Sequence, residues 1–341
     1  MALTRRAFLG TSMAGVGLAV CGRAAARGLS GEFGGWASGH TEASYFEWKK
    51  VADGCHVATG EGGNALAVVA KGETFVIDAK NGGFGAALRR EAEALGQPVK
   101  TLINTHHHFD HTGGNPAFTK DLTVVAHANL PARIGSHVNR SIQAAQGAIA
   151  KLKQSPNAAA PKVISDVEAF LKSNPTEKDF MPNKLMPSSG TITLGGVSVE
   201  LYHVGAGHTD NDLIVFIPEH NVVHGGDLLF HRMWPYVDPT NSGADTAGWI
   251  TSCRKIIELC NEKTVVVPGH GEVGDVSIAQ RQIDFFTKMR EIAAREVEKG
   301  TTREEFLKLS PEEFKDFGLA EMIKPATLGG LWDEASKAKG K

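Results

Sequence analysis

The 341 residues are 42% hydrophobic and 22% charged, and 36 Lys and Arg against 38 Asp and Glu leave a formal charge of −2. This is the composition of a globular protein; it excludes disordered, collagen-like and coiled-coil chains, while 39 Gly and 14 Pro promise many turns. No large basic surface for nucleic acid is expected, and the length allows one large domain or two small ones.

The chain begins with the ordered features of an export signal. Thr4-Arg5-Arg6-Ala7-Phe8-Leu9 is a twin-arginine pattern, a weakly apolar run extends from Ala7 to Val20, and Ala24-Ala25-Ala26 offers small residues for cleavage. The run is too short to span a bilayer as a helix. Residues 1–26 are therefore read as a twin-arginine signal peptide, implying the Tat export machinery as a partner, a periplasmic or otherwise exported location, and no integral membrane segment after signal removal. Cleavage removes Arg5, Arg6 and Arg23 and no acid, which moves the formal charge to −5. Leu18-Ala19-Val20-Cys21 also resembles a lipoprotein box, with an atypical Val before the Cys. Residues 27–53 follow as an N-terminal extension.

Strand patterns start at Gly54, with a short run around His56-Val57, then Ala65 to Val69 and Thr74 to Ile77 joined at Lys71-Gly72-Glu73. A helix is expected from Ala86 to Leu95, closed by Gly96 and Pro98. Val99 to Asn104 reads as a strand that runs into a histidine-rich loop, and Leu122 to Ala126 as the next. Residues 130–175 carry helical spacing and form an insertion. Gly195-Gly196 between Thr191–Leu194 and Val197–Leu201 signals a hairpin, and a second strand pair flanks residues 218–221. Helices are expected over Ala247–Cys260 and Ser277–Lys299, with a strand at Thr264–Val267 between them. Residues 301–341 read as a helical tail, with capping boxes at Thr301–Glu304 and Ser310–Glu313. Strand-rich halves each followed by helices predict an α/β fold of two mixed sheets packed together, with helices outside. Once Cys21 leaves with the signal, Cys55, Cys253 and Cys260 form no evident disulfide framework and are expected as core or surface thiols.

The chemistry concentrates in Asn104-Thr105-His106-His107-His108-Phe109-Asp110-His111-Thr112-Gly113-Gly114. Leaving an apolar strand, it brings two imidazoles at alternate positions and then an adjacent carboxylate and imidazole, enough donors for one loop to hold two metals. Three further motifs follow strands: Gly207-His208-Thr209 within Gly205–Asp212, Gly225-Gly226-Asp227, and Pro268-Gly269-His270-Gly271. The H-x-H-x-D-H spacing followed by Gly-Gly, with the later motifs in this order, resembles the metallo-β-lactamase superfamily from about Gly54 to His270.

The resemblance implies an αββα sandwich of two mixed β-sheets flanked by helices over residues 54–300. It also implies that His106, His108 and His208 hold one metal, that Asp110, His111 and His270 hold a second, and that Asp227 bridges them. Imidazole and carboxylate suit two Zn²⁺, with Fe or Mn possible. Asp78 matches an acidic position that supports the ligand loop. The implied chemistry is hydrolysis of an ester, thioester, lactone or lactam: the metals lower the pKa of a water toward ~7, the resulting nucleophile attacks a polarised carbonyl, and Asp110 orients it. The ligand set is similar to that of the glyoxalase II and lactonase branch; di-zinc β-lactamases usually carry Cys or Ser in place of Asp227, and flavin-linked diiron carriers carry Glu in place of His108. A mononuclear iron sulfur dioxygenase and a non-catalytic metal-binding relay protein are the alternatives.

A small-molecule substrate is expected against Phe230–Tyr236, with His231, Arg232, Trp234 and Tyr236 as its contacts and Arg232 attracting an anion. His107 is expected beside the ligands or at the surface, and His203 and His224 as buried partners. Neither substrate identity nor oligomeric state is encoded in a readable motif.

Overall fold

A computed structural model describes residues 43–340. The signal peptide, Cys21 and the start of the N-terminal extension lie outside the described residues.

Two sheets form the centre. The first contains β1 (Glu47–Ala52), β2 (Cys55–Thr59), β3 (Ala65–Ala70), β4 (Glu73–Ile77), β5 (Val99–Ile103), β6 (Thr123–His127) and β7 (Lys184–Met186), in chain order. Strands β1–β4 are an antiparallel meander, and β5, β6 and β7 each pair in parallel with the strand before. Parallel pairing requires crossovers. They are supplied by α1 (Gly85–Glu93), by the loop carrying the one-turn α2 (Phe109–Thr112), and by α3 (Pro131–Lys153), α4 (Ala160–Lys172) and α5 (Glu177–Phe180). The second sheet has β8 (Gly190–Leu194), β9 (Val197–Tyr202), β10 (Ile214–Ile217), β11 (Val222–Phe230) and β12 (Val265–His270), in the order β12-β11-β10-β9-β8. It is antiparallel apart from β11 and β12, which are joined through α6 (Thr246–Leu259).

Period-two alternation assigns the faces. In β3, Leu66 and Val68 enter the layer between the sheets while Ala65 and Ala67 face the helices; in β4, Phe75 and Ile77 point in and Val76 out. Val199, Leu201, Val215 and Val267 meet them from the second sheet. Each such aliphatic or aromatic side chain contributes about 1.5–3 kcal/mol on full burial. Ala87, Leu88, Ala145 and Val167 of α1, α3 and α4 cover the first sheet. The second is covered by α6, by α7 (Ser277–Lys299) and by the C-terminal elements α8 (Arg303–Phe306) and α9 (Ala320–Lys339). The result is the expected helix–sheet–sheet–helix sandwich.

Several local expectations change. Glu47–Ala52 is a strand of the first sheet, and Glu91 of α1 accepts hydrogen bonds from Tyr45 N, Phe46 N and Trp48 Nε1, so this part of the extension is built into the fold. Phe306, Leu328 and Leu331 are buried against the α6–α7 layer, so the helical tail packs onto the second sheet's helices. The capping box falls one residue later than its sequence spacing suggested: Thr302 caps and Glu305 reaches back. Ser310–Glu313 forms no box, and a short 3-10 turn, Glu312–Phe314, follows there instead. The hairpin at Gly195-Gly196 is as expected, both residues having positive φ (55° and 87°). Cys55 and Cys253 are buried free thiols, and Cys260 is half-buried and free.

Candidate metal centre

Four loops at one edge of the sandwich converge. β5 delivers Asn104 to His111; the β9–β10 connection brings His208; β11 carries Asp227; β12 ends on His270. Strands β11 and β12 lose regular register between His224 and Gly226 and again before Phe230, which opens the ladder where Asp227 and His270 turn inward. Glycine is required at two close approaches: a Cβ on Gly63 would overlap the His111 ring, and one on Gly269 would overlap the Asp227 carboxylate.

Around Asp227 the donor atoms fall into two groups, His106, His108, His208 and Asp227 in one, and Asp110, His111 and His270 in the other, each within 4.8 Å; His107, His108 and His137 make a third group beside them. Asp227 lies between them, its Oδ1 3.0 Å from His111 Nε2 and its Oδ2 3.4 Å from both His208 Nε2 and His270 Nε2. Asp110 Oδ2 is 3.1 Å from His270 Nε2 and 3.5 Å from His111 Nε2. All seven residues that the sequence assigns to metal are thus brought together.

The outer nitrogens are tied to neighbouring groups, and the inner ones face one another and the carboxylates. His208 Nδ1 donates to the Tyr236 carbonyl (3.1 Å), and His111 Nδ1 to Asp78 Oδ2 (2.7 Å). Asp78 also accepts from Thr105 N and Oγ1, both at 2.8 Å, so the Thr105 hydroxyl has no proton left for His106. His106 Nδ1 must therefore donate to that oxygen (3.0 Å), which leaves a lone pair on Nε2. His108 Nε2 pairs with Ser242 Oγ at 2.9 Å, which turns its Nδ1 inward. This is the arrangement in which outer partners fix imidazole orientation for a metal.

Electrostatics divides the groups. Burial pushes His106 and His108 well below the usual histidine value, and His208 down to about 4, so these imidazoles stay neutral. Burial opposes protonation of His270 and His111 too, but Asp227 and Asp110 outweigh it: His270 rises to about 9, and His111, which also has Asp78, rises well above its ordinary value. Burial would raise Asp227, yet His111 and His270 hold it well below the carboxylate range.

These residues fit a pair of divalent cations. His208 Nε2 and His108 Nδ1 face each other at 2.8 Å, and His208 Nε2 carries a lone pair because its proton is on Nδ1. Such a pair needs a proton or a cation, and burial disfavours the proton. His106 Nε2 is buried with no hydrogen-bond partner, an arrangement a cation resolves.

The expected substrate contacts are dispersed. Trp234 is 1% exposed and packs edge-on against Phe285 and Phe314 in the core, because its indole fills the space between α7 and the C-terminal elements; it forms no open wall. His231 Nδ1 donates to the Glu272 carbonyl, and with Arg232 it borders a cavity of about 10 Å³, about the size of one water. Tyr236 approaches the centre, its ring 5.7 Å from that of His108, and His231 N donates to the His270 carbonyl at 2.9 Å. His107 is fully buried, with Nδ1 accepting from Asn211 Nδ2 (2.9 Å), and His137 of α3 packs on it at 4.7 Å. His224 is buried and bonded to the Asn64 carbonyl; His203 stacks on His127 at 3.8 Å. Sequence reasoning missed Asn64, Asn211 and Ser242. Asn211 lay inside a motif already recognised, whereas Asn64 and Ser242 carry no spacing signal.

The sequence profile of the metallo-β-lactamase superfamily matches residues 58–270. A type 2 metallo-β-lactamase from Bacillus cereus is 30% identical over 101 residues, 29% of this chain and 39% of the relative. An acyl-coenzyme A thioesterase from Gallus gallus is 23% identical over 194 residues, 54% of this chain and 61% of that protein. The chain thus spans about two fifths of the length of that β-lactamase. A solved metallo-β-lactamase from Pontibacter korlensis superposes with a TM-score of 0.52 at 21% identity, covering 71% of this chain and 99% of that one, a likeness of fold. With the profile spanning more than half its length and the donor motifs inside that span, the chain belongs to the metallo-β-lactamase superfamily.

Proposed function

We propose that the protein is an exported dinuclear zinc hydrolase acting on the carbonyl of an ester, thioester, lactone or lactam. The observation that carries this reading is the paired, inward-facing donor set around Asp227. His106, His108 and His208 would hold one ion and Asp110, His111 and His270 the other, with Asp227 between them. When bound, such a pair supplies Lewis acidity and lowers the pKa of water toward ~7.

The chain's own residues do the rest. Asp78, Thr105, Ser242 and the Tyr236 carbonyl hold the ring orientations, so that little reorganisation accompanies turnover. Asp110, about 19% exposed where the other carboxylate is 4%, is the acid best placed to accept a proton from an entering water and orient it. Burial of Asp227 and the histidines keeps bulk water from screening the site. The relatives are named as β-lactamases and as a thioesterase, which supports acyl transfer to water as the reaction class. Residues 1–26 act as the export signal in this reading. Among the described residues no helix is long and apolar enough to cross a membrane.

Elemental analysis of purified protein, followed by turnover on an ester, thioester, lactone and lactam panel, tests the proposal. About two zinc per chain with hydrolysis of one class is expected. One iron with oxygen uptake, or a full metal complement with no hydrolysis on any class, overturns it.

A further inference from the structure

Lys80 is fully buried, lies at φ 70°, and has no part in the chemistry above. Its Nζ donates to the Ala58 carbonyl at 2.7 Å and the Gly63 carbonyl at 2.8 Å, and passes 5.4 Å from the centre of the Phe46 ring. Burying an ammonium is costly unless its protons are used, so what Lys80 grips matters.

It grips the irregular segment between β2 and β3, which touches both chain segments that carry the Asp110–His111–His270 group. Gly63 N donates to the Asp110 carbonyl at 3.1 Å, and Gly63 lies so close to the His111 ring that a Cβ could not fit. The next residue, Asn64, donates from N to the Gly269 carbonyl (2.7 Å) and from Nδ2 to the carbonyls of Pro268 (2.9 Å) and Gly271 (2.8 Å), either side of His270. From the other side, Ala79 N donates to the His111 carbonyl at 2.7 Å and Gly114 N to the Lys80 carbonyl at 3.1 Å. The backbone of 79–80 and, through Gly63, the ammonium of Lys80 are therefore both tied to the His111 segment. Among the described residues, these contacts of residues 63–64 and 79–80 fall on the Asp110–His111–His270 group and not on His106, His108 or His208.

We propose that Lys80 is a positioning residue for the second cation, acting through Gly63 and Asn64 to set the distance between Asp110, His111 and His270. This rests on the dinuclear reading above. Replacing Lys80 with Met removes the donor for two buried carbonyls while nearly keeping the volume, which frees the Gly60–Asn64 segment to shift. The second ion should then bind about 10–100-fold more weakly, the cost typical of losing an outer partner, with the first unchanged.

The test is a titration of metal-stripped wild type and Lys80→Met with Co²⁺ and with Zn²⁺ against a chelating dye, following the visible Co²⁺ spectrum of each half-site. Two ions in the wild type, with selective weakening of the second in Lys80→Met and a smaller weakening in Lys80→Gln, support the assignment. Unchanged affinities, or both ions weakened together as general loosening would do, overturn it. If Lys80→Met does not fold, Lys80→Gln, which keeps an N–H donor, carries the same comparison. A wild type that binds only one ion sinks the dinuclear reading itself and is seen before any variant is considered.

Discussion

The two halves of the metal centre use the same kinds of ligand and are prepared for a cation in opposite ways. His106, His108 and His208 are imidazoles kept neutral by burial, so their lone pairs are available at any pH near neutrality. His111 and His270 sit among Asp78, Asp110 and Asp227, which pull protons onto them. The first half waits empty-handed, whereas the second already holds protons that a metal must displace. The difference teaches that a carboxylate strengthens a metal site once it is filled and strengthens its proton competitor before that.

The largest expected effect comes from breaking both halves. His108→Ala removes a donor of the first and Asp110→Asn alters the acid of the second. Each should lower metal-dependent turnover by on the order of 10²–10⁴-fold while the far-ultraviolet circular dichroism of the fold is retained. Activity surviving in either variant would contradict the donor assignment.

A pH titration sharpens the contrast. His270 has its folded pKa raised from 6.5 to about 9, so in metal-stripped protein its contribution to stability is fully present below about 6.5 and is lost as pH rises through about 9. Metal-loaded protein should move the other way, because the second ion gains affinity as the protons on His270 and His111 are given up. Melting curves of stripped and zinc-loaded protein across this window should diverge with rising pH. Parallel curves would mean that no proton is displaced on loading. The first ion's affinity, by contrast, should be nearly flat over the same range. Asp78→Asn comes next: it weakens the acceptor of His111 Nδ1 and of Thr105, and should cost about 10–100-fold in second-ion affinity by equilibrium dialysis.

Much of this was legible before any coordinates because metal ligation constrains residue type and local spacing together. H-x-H-x-D-H places four donors within six positions of one loop, and apolar, strand-like runs precede His208, Asp227 and His270. The sandwich followed from strand-rich halves that are each followed by helices. Less visible were contacts with no spacing rule. Ser242 meets His108 across 134 positions and Asn64 meets Pro268 across 204, and nothing local in either residue marks it. β1 was hidden because Glu47-Trp48-Lys49-Lys50-Val51-Ala52 is an edge strand with exposed charges, a pattern that protects an edge and obscures a strand. The aromatic stretch after Asp227 divides for a related reason: Phe230 stacks on the His270 ring and Tyr236 lies against His108, while Trp234 turns into the core, and sequence does not say on which side of a loop an aromatic ring lands.

That last point yields the smallest expected effect on catalysis, and it separates packing from recognition. Trp234 is 1% exposed between Phe285 and Phe314, so Trp234→Ala should cost roughly 3–5 kcal/mol of stability, read as a lower denaturant midpoint. In the protein that remains folded, KM should be little changed. His231→Ala removes a ring whose Nδ1 is engaged by Glu272 and which borders a space for a single water, so kcat/KM should stay within about threefold of wild type, a loss of less than ~1 kcal/mol in transition-state binding. Tyr236, whose ring lies 5.7 Å from His108, is the internal control. If His231→Ala raises KM more than Tyr236→Phe does, the substrate approaches from the Glu272 side and the mouth of the site lies there, not beside His108.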